Sequence, residues 1–237
     1  MASTVSRKAL KQQDKFTVDV EQTVDFFSAH RTEVIRYGAV ALAVIAIVAA
    51  VFYYRSHQHS VREQMLANAI TLSAAPVGAP ATPGGPSFPN GDAKIKAVTA
   101  AFNKIISDHS GTEEAYVSEY YLASRAVDAG NMDDARKKYQ DVADHAGANY
   151  ASLAKLALSQ LDLAQNKQAD AERLLKDLMD HPTDLVSKTQ ATIAYAKAIA
   201  PTRPDEARKL LTQLATDKSS QEISQIASAA LNDLPAK

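Results

Sequence analysis

Three Asp-His dipeptides stand at a fixed interval along this chain: Asp108-His109, Asp144-His145 and Asp180-His181, each 36 residues after the last. An Asp that orients a His is half of a general-base dyad. Three His drawn together could also supply the ring nitrogens of a zinc site. His57-Gln58-His59 adds a further pair of such donors. The spacing argues against each reading. Adjacent residues on a helix point about 100° apart, so an Asp and the His beside it do not meet as orienter and base. Equivalent positions in stacked helical units lie roughly 10 Å apart, whereas zinc ligands sit about 2 Å from the metal. A His near a helix C-terminus is instead favoured by the macrodipole and by the last free carbonyls. The Asp-His rungs are therefore expected to mark helix ends.

Other chemistry is equally thin. Gly84-Gly85 lies among prolines and does not lead into the Gly-Lys-Ser/Thr of a phosphate loop. No GxSxG elbow is present. The absence of Cys removes disulfides, thiolate metal sites and a Cys nucleophile. The sequence thus leads to expect no catalytic residue, no metal site and no cofactor. A net charge of -1 over 237 residues gives no basic footprint for nucleic acid.

What the 36-residue interval does build is a repeat. Ile106, Val142, Leu178 and Leu214 keep it, as do Ala135, Ala171 and Ala207. Self-similarity at this period marks a solenoid, in which each unit buries its apolar face on its neighbours. Apolar spacing places helices at 93–109, Glu113–Ala129, Asp133–His145, Tyr150–Ala164, Ala169–His181, Leu185–Ala200, Pro204–Thr216 and Ser219–Leu234. Turns fall at Gly130-Asn131, Gln165-Asn166 and Pro201-Thr202-Arg203, and Pro235 ends the last helix. In the second helix of each pair a small Ala (135, 171, 207) permits close approach. Tyr139, Leu175 and Leu211, four residues on, fill the groove. The expected fold is all-α.

Ahead of the array, Tyr37–Tyr54 reads YGAVALAVIAIVAAVFYY, 18 residues without a charge. As a helix it is roughly 27 Å long, close to the ~30 Å hydrocarbon core of a bilayer. Arg36 and Arg55 bracket it, and Tyr37, Tyr53 and Tyr54 stand where an aromatic belt belongs. The 36 residues before it and the Phe52-Tyr53-Tyr54-Arg55 sequence at its end fit a permanent signal anchor better than a cleaved signal peptide. The reading is a permanent single-pass anchor. Arg7, Lys8, Lys11 and Lys15 favour a cytosolic N-terminus. Residues 1–36 then form the cytosolic tail, with a disordered start at 1–17. An amphipathic helix carrying Val20, Val24, Phe27 and Val34 follows from about 18. Residues 55–237 form the extracytoplasmic domain. Ser56–Leu72 is helix-forming. Residues 74–92, with five Pro and four Gly, are expected to be a disordered loop joining the helices of the first pair.

The helical pairs resemble the tetratricopeptide repeat family over about residues 93–234. The family's Trp is absent, and the connections are one or two residues longer. The resemblance implies protein binding on the concave face lined by first helices. Carried over in register, it points to Tyr120, Ser124, Gln160 and Thr192. The whole layout, with VDFFSAHRTEVIRYG before the span, FYYRSHQ at its end and three to four repeats, resembles the bacterial YfgM-type family over about residues 18–234. That resemblance implies an ancillary subunit of the SecYEG translocon in the inner membrane. It implies a periplasmic repeat domain and, as partners, the translocon, periplasmic chaperones or translocating polypeptides. The same architecture would also suit a scaffold for another envelope assembly, such as cytochrome maturation or cell-wall machinery. An envelope enzyme with a helical domain is the rival from a different class.

Overall fold

The computed structural model describes residues 31–80, 84–217 and 221–234. The expectations for the tail at 1–17, for the helix from about 18 and for Pro235 lie outside them. Nine helices are present among the described residues, and the one extended pairing is an isolated bridge. They are α1 (Arg31–Ala74), α2 (Gly91–Asp108), α3 (Glu113–Asp128), α4 (Met132–His145), α5 (Ala148–Ala164), α6 (Gln168–Asp180), α7 (Lys188–Ile199), α8 (Pro204–Ala215) and α9 (Gln221–Asn232). The chain divides into two compact units, Met1–Ser60 and Val61–Lys237.

In the first unit the apolar run is helical and uncovered. Every residue from Ile35 to His57 is exposed, including Leu42, Ile47 and Phe52. This is the one described helix long and apolar enough to cross a membrane. Water does not tolerate such a face on all sides of five turns.

The second unit is a stack of hairpins. The C-terminal part of α1 pairs with α2, α3 with α4, α5 with α6 and α7 with α8, and α9 closes the array. Three apolar clusters follow one another. Ala69 of α1 meets Val98, Phe102 and Ile105 of α2 and Leu122 of α3. Ala135, Tyr139 and Val142 of α4 pack with Ala123 of α3 and Leu158 of α5. Leu175 and Leu178 of α6 join Tyr195, Ile199, Leu211 and Ala230. Ala135, Ala171 and Ala207 are all at 0% exposure, so a larger side chain there has no room.

The turns explain how one period serves different sequences. Gly130 (φ 76°) is left-handed, and the next residue's amide reaches back to the Ala126 carbonyl at 2.8 Å. Asn166, 36 residues on, adopts φ 59° and makes the same return from Lys167 to Asp162 at 2.7 Å. Asn is among the few other residues that tolerate this conformation.

Two expectations need correction. The inward-facing set of α2 is Val98, Phe102 and Ile105, which matches Ala135, Tyr139 and Val142 at 37 residues rather than 36. Ile106, the first rung of the sequence ladder, lies one step off the inward line and is half-buried. The longer connection at 109–112, against two residues at 146–147, absorbs the extra position. The helix expected from Leu185 begins at Lys188, because the Ser187 hydroxyl caps it by accepting from the Gln190 amide at 3.2 Å.

Between α1 and α2 the described segments 75–80 and 84–90 are tied to each other. The Gly78 amide donates to the Phe88 carbonyl at 2.8 Å, and the Phe88 amide to the Pro76 carbonyl at 3.1 Å. Ala75 is buried.

Leu175 is 1% exposed and Leu185 is 41% exposed. Leu175→Ala is expected to lower the unfolding free energy by about 2–5 kcal/mol, read from the urea midpoint. Leu185→Ala should stay within about 0.5 kcal/mol.

Candidate binding surface

Five of the nine Tyr fall between 116 and 150, and the fold gathers four of them. Tyr120 and Tyr121 come from α3, Tyr139 from α4 and Tyr150 from α5. Tyr120 is the hub. Its ring lies 5.4 Å from Tyr139, 5.8 Å from Tyr150 and 6.2 Å from Tyr121, each in an edge-to-face arrangement. Tyr121 stacks in turn on Phe102 of α2 at 5.2 Å. Tyr139 is buried in the seam, whereas Tyr120, Tyr121 and Tyr150 are half-buried and leave part of each ring at the surface.

Burial pushes the Tyr139 phenol up to about 12, helped by Tyr120 and Asp128 and opposed by a hydrogen bond with Ser124. Burial also raises Tyr120 and Tyr150. All three phenols therefore stay protonated near neutrality and keep an O–H to donate. Rigid aromatic bodies with polar tips, held on helices, are the residue type that dominates protein interfaces.

The four expected contact residues are placed differently. Tyr120 is the centre of the cluster, and Ser124, half-buried, bonds the Tyr139 hydroxyl. Gln160 is exposed on α5. Thr192 is 7% exposed, and its hydroxyl donates to the Lys188 carbonyl of its own helix at 2.7 Å, so it packs rather than presents. The register did not single out Tyr121 and Tyr150. The density of Tyr in one stretch was the available signal.

The Asp-His rungs are helix ends, as their geometry required. His145 is the last residue of α4, and His109 and His181 follow the last residues of α2 and α6. Two of the rings turn to a carboxylate one helical turn back. His145 Nδ1 donates to the Asp141 carbonyl at 3.0 Å and lies 3.2 Å from its Oδ1. His181 Nδ1 lies 3.1 Å from Asp177 Oδ1. A hydrogen bond from Lys155 Nζ, at 2.6 Å, is the main cause that holds the Asp177 carboxyl below its usual range. Among the described residues no three His, Asp or Glu side chains converge as metal ligands.

Grooves also run between successive second helices. Those between α2 and α4 and between α4 and α6 enclose about 440 and 430 Å³. Ahead of α8, Arg203 bonds Glu172 and Glu206 and lies 5.9 Å from the centre of the Tyr195 ring.

A model of the tetratricopeptide repeat-like domain family matches residues 26–182, from ahead of the apolar run to the end of the third hairpin. The chain belongs to that family. No curated protein and no solved structure matches it. The fourth hairpin of this tetratricopeptide-like solenoid lies beyond the match. It keeps the small-then-large pattern in Ala207 and Leu211, both at 0% exposure.

One ionisable pair sits in the same hairpin as the tyrosine hub. Glu119 of α3 faces Asp141 of α4 in a hollow that His145 and Tyr116 also line. Burial first, then the hydrogen bond and charge of Asp141, push Glu119 up to about 7, against the pull of Lys138 and His145. A carboxyl raised above its unfolded value of 4.5 gives stability that is complete below pH 4.5 and is lost as pH rises through about 7. The urea midpoint should accordingly fall between pH 5 and pH 8. Glu119→Gln should flatten that slope, and an unchanged slope in the variant would rule out this assignment.

Proposed function

We propose that this chain is a non-enzymatic, membrane-anchored scaffold whose tetratricopeptide-like solenoid docks other proteins. The observation that carries the reading is the half-exposed tyrosine cluster on the first helices of two successive hairpins. Family membership supports the same use, because tetratricopeptide-like domains mediate protein-protein contacts. The uncovered apolar helix supports the anchor. Tethering confines the solenoid near its partners and raises their effective concentration without new contacts.

The finer reading rests on the resemblance of the tail, span and repeats to the YfgM-type family. On it, the N-terminus is cytosolic and the repeat domain periplasmic. The partners are the SecYEG translocon, periplasmic chaperones or translocating polypeptides. A scaffold for another envelope assembly shares every feature except the partner.

Two measurements separate these readings. On inside-out inner-membrane vesicles, an external protease should remove the tail and spare the solenoid. Digestion of the solenoid would reverse the topology. Mild-detergent purification of the full chain should recover translocon subunits. Enrichment of a different envelope complex, with no translocon subunit, would favour the scaffold alternative.

A further inference from the structure

Lys155 and Asp177 stand 36 residues after Glu119 and Asp141. In the α5–α6 hairpin, Lys155 Nζ crosses the seam to Asp177 Oδ2 at 2.6 Å, and His181 lies on the other oxygen at 3.1 Å. The α3–α4 hairpin keeps the Asp and the His, with His145 Nδ1 3.2 Å from Asp141 Oδ1. It places Glu119, however, where the next hairpin has its ammonium. The α7–α8 hairpin has Ala191 and Gln213 at these positions, neither of them ionisable.

Glu119 and Asp141 line one hollow of about 370 Å³ with Tyr116 and His145. The end of α2 and the turn after it bring Ile106, Ser110 and Gly111 to this hollow, none of them charged. On its other side Glu119 meets the outer charges of α4. There Lys138 and Arg136 are bonded to Asp134 and Asp162, which leaves Asp133 and Asp144 against Lys137. Two carboxylates in hydrogen-bond contact cannot both keep a charge, so a proton must do between them what Lys155 does in the next seam.

We propose that Glu119 and Asp141 form a proton-operated clasp between α3 and α4, closed by a shared proton and opened beside the tyrosine hub by its loss. Glu119 precedes Tyr120, and Asp141 lies two residues after Tyr139. Tyr116 stacks on the His145 ring at 6.1 Å, so the clasp and the 5.4 Å Tyr120–Tyr139 contact bridge the same two helices. Burial, then Asp141, push Glu119 up to about 7 against the pull of Lys138 and His145. The closed seam therefore holds the proton more tightly than the open one. Closure is complete in acid and is lost as pH rises through about 7. The clasp is a property of this hairpin, and the docking reading survives its failure.

Hydrogen exchange on the whole chain in phosphatidylcholine nanodiscs, corrected for the intrinsic pH dependence of amide exchange, reads the opening of each hairpin separately. From pH 5 to pH 8 the opening of α3–α4 should rise about tenfold, because solvent reaching a half-buried carboxyl weakens the coupling, while α7–α8 stays level. The chain has no Trp, so its near-ultraviolet circular dichroism comes chiefly from tyrosine and should weaken over the same range. Glu119→Gln needs no proton, and Glu119→Lys copies the α5–α6 pairing. Each should remove both changes, and Glu119→Gln carries the test if Glu119→Lys does not fold. His145→Gln should keep them.

An α3–α4 opening that is level from pH 5 to pH 8 would overturn the clasp. So would a rise that persists in Glu119→Gln, or one that His145→Gln removes, which would assign the proton to the imidazole. An equal rise in α7–α8 would overturn the placement. Faster exchange with unchanged near-ultraviolet dichroism would overturn the link to the hub.

Discussion

No hairpin in this array can bury its apolar face alone, and the rest of the structure follows from that constraint. The close seam between hairpins requires a small side chain where second helices approach, which Ala135, Ala171 and Ala207 supply at 0% exposure. The larger residue one turn later then fills the space the Ala leaves open. Both ends of the stack meet the same constraint with polar surface. Glu63, Gln64, Asn68 and Thr71 face outward on α1, and Glu222, Gln225 and Asn232 face outward on α9. Terminal units of a solenoid need such a face to remain soluble.

Polar contacts between neighbouring helices fix the register that apolar packing leaves loose. Glu114 and Asp162 are buried at 4% and 3% exposure, and each meets an arginine from another helix. Arg136 reaches from α4 to Asp162 and Gln165 at the end of α5. At the position 36 residues later, Glu172 reaches the next turn with the opposite charge. Burial would raise its carboxyl, and the hydrogen bonds from Arg203 and Gln168 outweigh that and lower it. The staple keeps its place while its polarity reverses, so hairpins offset by one unit would bring like charges together. Buried ion pairs are weak sources of stability but strong penalties against mispairing.

Much of the fold was legible because repetition multiplies a faint signal. A lone Ala followed four residues later by Leu means little, whereas three such pairs at 36 residues define second helices and their inward faces. Turns were readable from Gly130 and Asn166, since few residues accept a positive φ. The 37-residue offset of α2 was not readable, because Ile105 and Ile106 are adjacent and equally apolar and only burial separates them. The surface was legible in part. Register led to Tyr120, but carried equally to Thr192, whose hydroxyl is spent within its helix. Tyr121 and Tyr150 act through contacts between hairpins, which a pattern within one repeat does not encode. Glu119 and Asp141 face each other across two helices for the same reason.

The tyrosine hub unites these strands, since its rings come from three successive helices that only the stacked array brings together. Its proposed use as a docking surface is best tested by placing a photo-crosslinking amino acid at position 150, and separately at exposed positions 140 and 209 on second helices, in the whole chain. The account predicts protein adducts from position 150 well above those from 140 and 209. Adducts confined to 140 or 209, or equal at all three positions, would contradict it.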